Sequence, residues 1–344
     1  MEYPKVSVII PIYNVAKFID SGMEAFLLQR YTDYEVVLVD DGSTDESPAL
    51  CDAWAARYPN VRVLHKSNGG SGSARNLGIE NAQGEYIYFF DIDDKADEKL
   101  LEYCVETADR TQADLLVFSY HNYDVTTHQN YDILLSDITI NSNAELREVY
   151  VDEFVMKMNG FPWNKFYRKS FLNAHNIRFE DLLIQQDEVF NLSLYPYVQK
   201  AVISSRPLYT YYIYSRGNTR SRFIPQRFDI YCTVNQRFRK LIDYWHLEDE
   251  RLTRYLYNRF WSSTLEGLVQ NLTSDKCIWS SEQKQKEMNH IADDRLTQEA
   301  LSDLYTAAGF EQRMYMSAVR QRSIPKLLIW KRIFQTLRKV KQMF

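Results

Sequence analysis

Glu85-Tyr86-Ile87-Tyr88-Phe89-Phe90-Asp91-Ile92-Asp93-Asp94 is an apolar run that ends in three carboxylates, and it predicts a buried strand over residues 85–90. Acids at the end of such a strand leave unbalanced negative charge, which destabilises the fold unless a metal or another cation lies against it. Alternate residues of an extended chain point the same way, so Asp91 and Asp93 can share one ligand. Oxygen ligands of this kind suit Mg²⁺ or Mn²⁺.

The segments around this run alternate between strand and helix patterns. Strands are predicted over residues 6–11, 34–39, 61–64 and 113–119, with Pro11 ending the first, and helices over 15–28, 47–58, 73–83 and 100–108. This order predicts an α/β fold with a doubly wound, mainly parallel sheet flanked by helices. Such sheets bind ligands beyond the carboxyl ends of their strands, where residues 11–14, 40–41 and 91–93 fall.

The turn Asp40-Asp41-Gly42-Ser43 follows the predicted strand of residues 34–39. A carboxylate at this place can accept a hydrogen bond from a nucleobase N–H or from ribose hydroxyls, and Gly42 lets the backbone approach a ligand closely. The alternative is an ordinary turn in which Thr44 or Asp45 caps the next helix.

A glycine-rich loop, Asn68-Gly69-Gly70-Ser71-Gly72-Ser73-Ala74-Arg75-Asn76, leads into the third predicted helix. Its backbone N–H groups and Arg75 can approach a diphosphate. The loop lacks the Lys-Ser/Thr ending of a P-loop and the spacing of a dinucleotide fingerprint, so ATP hydrolysis and dinucleotide binding are disfavoured. The alternative is a flexible loop with Arg75 as a surface charge.

Length and composition predict a large core and either two domains or one domain with an appendage. The net charge of −5 combines an acidic body with a basic tail, since residues 312–344 contain nine basic residues and no acids. An acidic body argues against nucleic-acid binding. The four cysteines lack metal or disulfide spacing, and neither a signal peptide nor a membrane span is visible, so we expect a cytoplasmic protein.

With its motifs at residues 6–14, 39–45, 68–78 and 84–94, the chain resembles family 2 glycosyltransferases of the GT-A fold, particularly bacterial enzymes that build surface polysaccharides. The resemblance implies a UDP-sugar donor and a Mn²⁺ or Mg²⁺ cofactor. It implies that Asp41 contacts the uracil, that Asp91 lies near ribose and metal, and that Asp93 binds the metal bridging the diphosphate. The other residues it places around the nucleotide are Pro11, Tyr13, Asn14, Asn68 and Arg75.

Later segments resemble the family's acceptor side. Residues 161–167 are similar to its aromatic-Asn-Lys segment beside the acceptor, which here contains Trp163, Asn164 and Lys165. Gln186-Asp187-Glu188 stands where the family usually has Glu-Asp, which implies that Asp187 is the general base. Because the first residue here is Gln186, Glu188 is the alternative base. Without the resemblance, a helix-start cap or a surface acid is the favoured interpretation of Asp187.

Residues 211–222 resemble the family's segment that closes over the donor phosphates. Any one of Arg216, Arg220 and Arg222 can neutralise those phosphates. The domains expected from the resemblance are a catalytic domain over 1–225, with a nucleotide-sugar half over 1–118 and an acceptor half over 119–225. Residues 226–344 are predicted to be helical, with helices over 227–244, 248–271 and 281–292.

The function implied is an inverting transfer of a hexose or N-acetylhexosamine from a UDP-sugar to a saccharide acceptor, on a lipid carrier, in capsule, O-antigen or exopolysaccharide synthesis. A nucleotidyltransferase also combines a nucleotide-binding sheet with acidic metal ligands, but this chain lacks an early basic glycine-rich loop for a triphosphate. A catalytically silent scaffold of a polysaccharide assembly complex is the alternative outside enzymes. The nearly complete set of acids opposes that alternative, and Gln186 favours it weakly.

The tail over residues 325–344 has apolar residues at helical spacing among six lysines and arginines. Basic amphipathic helices lie on anionic membrane surfaces, so we expect peripheral association with the cytoplasmic face of the bacterial membrane. The alternatives are a terminal helix docked on the protein's own acidic body and a contact in a homodimer.

Overall fold

The computed structural model describes residues 3–157, 160–214 and 223–341, with side chains as far as Arg338. These residues form a mixed α/β architecture, which confirms the fold class predicted from the sequence. The strands are β1 (Val6–Ile12), β2 (Tyr34–Asp40), β3 (Val61–His65), β4 (Tyr86–Phe89), β5 (Lys95–Ala96), β6 (Leu115–Asp124), β7 (Gln129–Ile133), β8 (Ile138–Ile140), β9 (Lys165–Arg168) and β10 (Ala201–Ile213).

The helices of the described residues fall into two groups along the chain. Those among the strands are α1 (Ala16–Phe26), α2 (Ser47–Arg57), α3 (Ser71–Asn81), α4 (Leu100–Thr111), α5 (Asn143–Tyr150), α6 (Lys169–Ala174) and α7 (Gln186–Leu194). Those that follow are α8 (Arg227–Trp245), α9 (Glu250–Thr273), α10 (Ser281–Asp293), α11 (Arg295–Tyr305), α12 (Phe310–Arg320) and α13 (Ile324–Lys341).

All strands of the described chain join one sheet, in the order β3-β2-β1-β4-β9-β6-β10-β5, with β7 beside β6 and β8 beside β10. The first four are parallel, as are β6 and β10, whereas β9 is antiparallel to both of its neighbours. Every residue of β2 and β4 is buried. This burial explains why their sequences are continuous apolar runs rather than alternating ones.

Pro11 does not end the first strand as predicted, because β1 continues to Ile12. The pairing of β1 with β4 reaches only Ile9, while its pairing with β2 runs on to Ile12. A proline therefore fits at residue 11, since its missing N–H interrupts no hydrogen bond to β4.

Beyond residue 120 the structure contains strands that the sequence pattern did not predict. β6 continues to Asp124, and β10 pairs with it in parallel over its whole length. The register of this pairing shifts between Ser204 and Tyr209, around Pro207. A bulge of this kind accommodates a proline inside a strand, and it breaks the apolar alternation on which sequence-based prediction depends.

The chain divides into two compact units, Met1–Arg216 and Gly217–Phe344. The first contains the sheet, and its core includes Val8, Leu38 and Tyr88. The second consists of helices α8 to α13 around a core of its own that includes Trp261 and Met288. Across the described residues, no helix is long and apolar enough to cross a membrane.

Candidate functional site

Three strand ends meet at one edge of the sheet, as the sequence predicts. The register pairs Ile12 of β1 with Asp40 of β2, and Ile9 with Phe89 of β4. The residues that follow these strands therefore share the carboxyl edge of the parallel sheet, where such folds bind ligands.

The turn after β1 is hydrogen-bonded to the turn after β2. Asn14 has a left-handed φ of 52°, and its Oδ1 accepts a hydrogen bond from the Thr44 N–H at 2.8 Å. The Asn14 N–H donates to the Ser43 hydroxyl at 3.1 Å. Asp45 accepts from the N–H groups of Ala16 and Ser47 and so satisfies the start of both α1 and α2.

Of the other residues of the first turn, Pro11 is half-buried and Tyr13 is 40% exposed. The Tyr13 ring is thus available to a ligand at this edge, whereas the Asn14 side chain is occupied in holding the two turns together.

Asp41 anchors the glycine-rich loop. The side chain is 2% exposed, and Oδ1 accepts from Lys66 Nζ at 2.6 Å and from the Gly69 N–H at 2.9 Å. Oδ2 accepts from the Gly70 N–H at 2.7 Å, and Gly70 has a φ of 86° that favours glycine. Exposed Asn68 donates to the Asp41 carbonyl oxygen at 3.0 Å. The N–H groups of Gly69 and Gly70 are therefore directed at a carboxylate rather than at the space where a diphosphate would bind.

Lys66 is a contact of the site that the sequence analysis missed. It follows directly after β3, so its position at the carboxyl edge of a predicted parallel strand was the signal available. Its ammonium group compensates the buried Asp41 carboxylate, since a buried charge without a partner strongly destabilises a fold.

Arg75 brings the two predicted acidic motifs together. The side chain is 4% exposed on α3, with Nη1 2.7 Å from Asp187 Oδ1 and Nη2 2.9 Å from Asp91 Oδ1. Asp187 lies 112 residues further along the chain. Burial alone would lower the pKa of Arg75, but the two carboxylates raise it above its ordinary value. Arg75 is thus a buried cation between two acids and not a surface charge.

Asp93 is half-buried beside Asp91, and among the described residues no side chain hydrogen-bonds its carboxylate. Burial and the negative charge of Asp91 raise its pKa to about 6. Asp94 is fully buried, where it accepts hydrogen bonds from the Tyr209 hydroxyl at 2.6 Å and the Tyr212 N–H at 2.8 Å. Burial and the neighbouring acids raise the pKa of Asp94 well above its ordinary value.

Asp91 and Asp93 fit a divalent cation that is shared with a substrate. The described residues contain no group of three or more histidines, cysteines or acids placed to hold a metal by themselves. Magnesium sites commonly use one or two carboxylates and complete their shell with substrate phosphates and water. Burial and the neighbouring charge of Asp91 disfavour the ionised Asp93 carboxylate, and a cation bound here would relieve that cost.

Asp187 and Glu188 lie in the first turn of α7. The Asp187 side chain is 34% exposed, so one face of the carboxylate is open while Arg75 holds Oδ1. Burial raises the pKa of Asp187, and Arg75 opposes this shift. Glu188 is half-buried and lies beside Gly160.

The predicted acceptor segment is buried. Trp163 is 2% exposed and stacks on Tyr209 at 4.5 Å between ring centroids, while Asn164 and Lys165 are fully buried. Lys165 Nζ donates to the Phe161 carbonyl oxygen at 2.6 Å, and burial lowers the pKa of this amine well below its ordinary value. These side chains support half-buried Phe161 and Tyr211, whose rings stack with Trp163 and form the surface here.

Arg216, Arg220 and Arg222 of the predicted closing segment lie outside the described residues. The chain enters this segment from Tyr214, whose hydroxyl donates to the Asp93 carbonyl oxygen at 3.4 Å and whose ring packs on Phe18. Since Asp94 also holds the Tyr212 N–H, the end of β10 is attached directly to the acidic motif.

Comparison with known proteins agrees with this geometry. Residues 7–174 match the family model "Glycosyl transferase family 2". The chain is 32% identical to the glycosyltransferase GlyG of Streptococcus pneumoniae over 227 residues, which are 63% of this chain and 74% of GlyG. It is 33% identical to the putative glycosyltransferase EpsH of Bacillus subtilis over 218 residues, 62% of each chain. The match thus spans about three fifths of the first two curated relatives.

Among solved structures, S. aureus TarS 1-349 in complex with UDP-GlcNAc has a similar fold. The TM-score is 0.66 at 19% identity, over 96% of this chain and 92% of the TarS chain. This likeness confirms the GT-A arrangement of a mixed sheet flanked by helices with a helical C-terminal region. The sequence matches confirm the family resemblance seen in the motifs, and the chain belongs to glycosyl transferase family 2.

Proposed function

We propose that this protein is an inverting, metal-dependent transferase that moves a hexose or N-acetylhexosamine from a UDP-sugar to a hydroxyl of a saccharide acceptor. The observation that carries the proposal is the position of Asp187. This carboxylate is open to solvent on one face and is joined through Arg75 to Asp91, the first acid of the motif after β4. A base and a donor-side acid next to each other are what a single displacement at an anomeric carbon requires.

In this reaction Asp187 takes the proton from an acceptor hydroxyl as its oxygen bonds to the anomeric carbon. The bond from that carbon to the diphosphate oxygen breaks on the opposite face, and UDP leaves. A single displacement inverts the anomeric centre, as in inverting hydrolases with the acceptor in place of water. An α-linked donor therefore yields a β-glycoside.

Asp91 and Asp93 would hold Mn²⁺ or Mg²⁺, which supplies positive charge to the departing diphosphate when bound. Tyr13, Asn14, Asp41 and Asn68 would surround the base pocket. UDP as the nucleotide is supported by the fold shared with TarS, which was solved with UDP-GlcNAc. We assign residues 1–118 to the donor half, 119–225 to the acceptor half and 226–344 to a helical region.

The pathway proposed is capsule, O-antigen or exopolysaccharide synthesis on a lipid-linked acceptor at the cytoplasmic face of the membrane. Support comes from α13, which displays Ile329, Ile333 and Leu337 to solvent at exposures of 55%, 40% and 55%. The opposite side of α13, with Leu327 and Phe334, is buried in the helical unit. One face of α13 is thus packed within the helical unit, so the tail contacts the protein itself, as in one of the alternatives given above. A second apolar face is exposed.

The first test is release of UDP from a panel of UDP-sugars with Mn²⁺, Mg²⁺ or EDTA. We expect metal-dependent release from one preferred donor. Asp187→Asn should lower this rate by about 10²–10⁴-fold while UDP binding is retained. The rate should fall as the pH is lowered, because a base must be unprotonated. Since the pKa of Asp187 is raised, we expect this fall at a higher pH than the ordinary aspartate pKa of about 3.9.

Asp181→Asn is the matched control, since Asp181 is an exposed acid before α7 and should tolerate the change. Turnover of Asp187→Asn close to that of the unaltered protein would refute the role of this base. Pyrophosphate release from a nucleoside triphosphate would indicate a nucleotidyltransferase. Folded protein that releases nothing from any nucleotide sugar would indicate a silent scaffold.

A further inference from the structure

The side chain of Gln186 connects two helices that are far apart in the sequence. Gln186 is the first residue of α7, and its Oε1 accepts a hydrogen bond from the Gly72 N–H at 2.8 Å. Its Nε2 donates to the Ser71 hydroxyl oxygen at 2.7 Å. A backbone N–H can only donate, so the orientation of the amide follows from the first of these contacts.

These two contacts complete the anchoring of the glycine-rich loop. Asp41 accepts from the N–H groups of Gly69 and Gly70, and Gln186 accepts from the N–H of Gly72 two residues later. The N-cap of α3 is Gly70, which has no side chain to cap the helix. Gln186 therefore provides, from α7, the acceptor that the first turn of α3 needs.

The neighbouring residue ties the same two helices a second time. Asp187 follows Gln186 on α7 and pairs with Arg75 of α3 at 2.7 Å. Gln185, just before α7, has a left-handed φ of 62°. A residue other than glycine keeps such a conformation only where its surroundings hold it. The contacts of Gln186 and Asp187 to α3 directly follow Gln185 in the chain and can hold it in this conformation.

The approach of Gln186 depends on the absence of a side chain at residue 72. A Cβ on Gly72 would lie 2.1 Å from Gln186 Oε1 and 2.9 Å from Phe179 Cβ. The side chain of Gln186 is thus packed directly against the loop, with no space for a methyl group on residue 72.

We propose that Gln186 is a positioning residue of the transfer reaction, whose amide fixes the distance between the glycine-rich loop on the donor side and the base Asp187. The inference rests on the proposed function, since it takes Asp187 as the base. It assigns to Gln186 the task of making the loop anchored by Asp41 and the base on α7 move as one body.

The charges around Asp187 explain why an amide is suited to this position. The groups that face this carboxylate are Arg75 from α3, Asp91 after β4 and Lys165 and Tyr167 from β9. The start of α3 would also favour a carboxylate at residue 186, so capping alone does not explain the glutamine. The amide keeps both hydrogen bonds and adds no further negative charge beside Asp187.

The test compares Gln186→Ala and Gln186→Glu with the unaltered protein. UDP with Mn²⁺ is the binding probe, and UDP release against pH is the kinetic readout. Gln186→Ala loses both contacts, and we expect the Kd for UDP to rise by about 3–10-fold with a fall in kcat. Gln186→Glu keeps the Gly72 contact, so its Kd should stay within about threefold, but its acid limb should move up by about half to one pH unit.

Gln129→Glu is the control for added charge, because Gln129 is exposed on β7. It should leave both the Kd and the pH profile unchanged. Ser71→Ala removes one of the two contacts without altering α7, and it should weaken UDP binding by about threefold even if Gln186→Ala fails to fold.

Unchanged UDP affinity in Ser71→Ala and Gln186→Ala, or a pH profile of Gln186→Glu equal to that of Gln129→Glu, would overturn the role of Gln186. These outcomes are distinct from failure of the proposed function. That failure would appear either as no UDP binding by the unaltered protein or as full turnover by the Asp187→Asn variant.

Discussion

At the scale of single residues, Asp93 combines burial with a neighbouring like charge. Its pKa of about 6 in the folded protein lies above the ordinary value of 3.8, which applies in the unfolded chain. Between these two pH values the folded protein binds more protons than the unfolded chain does. The contribution of Asp93 to the free energy of unfolding therefore decreases as the pH rises from about 4 to about 6 and stays at its lowest above that.

Asp93→Asn should therefore stabilise the protein while abolishing transfer. Above pH 6 in EDTA we expect the free energy of unfolding to rise by up to about 3 kcal/mol, from a pKa difference of about two units. Thermal or urea unfolding at pH 8 and at pH 4 measures this, and the gain should vanish at pH 4. UDP release, measured separately with Mn²⁺ at pH 8, should be lost. A variant that is destabilised at pH 8 would contradict the uncompensated charge inferred for Asp93.

The identities of the site acids could be predicted from the sequence, but their contacts could not. Asp41, Asp91 and Asp93 follow apolar strands, and this is a local pattern. Tyr209, by contrast, reaches Asp94 across 115 residues, and Gln186 reaches Gly72 across 114. Contacts of this kind arise only when the sheet has assembled, so no local pattern indicates them.

At the scale of elements, α3 carries Arg75 and must lie close to β1. Gly78 makes this possible, since a Cβ there would lie 2.3 Å from Cγ2 of Ile9 in the middle of β1. Alanine is the better helix former by about 1 kcal/mol, so helix propensity alone would favour it over this glycine. The close packing of α3 on the sheet is therefore the reason that glycine is suited to residue 78.

Gly78→Ala should lower both stability and activity. We expect a loss of about 1–3 kcal/mol in the free energy of unfolding, because the added methyl group forces α3 away from β1. UDP release should fall as well, since Arg75 moves with the helix. Gly309→Ala is the control, because a Cβ there meets no atom within 4 Å, and it should cost less than about 1 kcal/mol. Equal effects of the two variants would show that close packing at Gly78 is not the cause.

Up to residue 119 the elements other than the two-residue β5 could be predicted from the sequence, because their apolar patterns are unbroken. Those of β9 and β10 could not. β9 has only four residues, and β10 is interrupted at Pro207 by a register shift. α7 is a short helix that starts after Gln185, a residue with a left-handed φ, and no side chain caps its first turn. Tertiary contacts decide these three elements.

At the scale of the whole molecule, charge is distributed unevenly along the chain. The net charge is −5, yet residues 312–344 contain nine basic residues and no acids. Within the helical unit, Arg338 of α13 pairs with Glu311 and Lys331 donates to the Thr273 hydroxyl. Arg332 is exposed beside the apolar face of Ile329, Ile333 and Leu337. An exposed face of this composition complements an anionic lipid surface.

We expect the protein to sediment with vesicles that contain phosphatidylserine and to remain in solution with pure phosphatidylcholine. The triple variant Ile329→Ser, Ile333→Ser, Leu337→Ser should bind at least about tenfold more weakly, because each buried CH₂ contributes about 0.8 kcal/mol. Point variants are preferable to deletion of the tail, since Leu327 and Phe334 belong to the core of the helical unit.

Leu28→Ser, at an exposed leucine of the sheet unit, is the control and should bind as before. If the triple variant sediments with the vesicles as well as the unaltered protein does, this face does not bind lipid. If the unaltered protein self-associates and the triple variant does not, the face binds another copy of the chain.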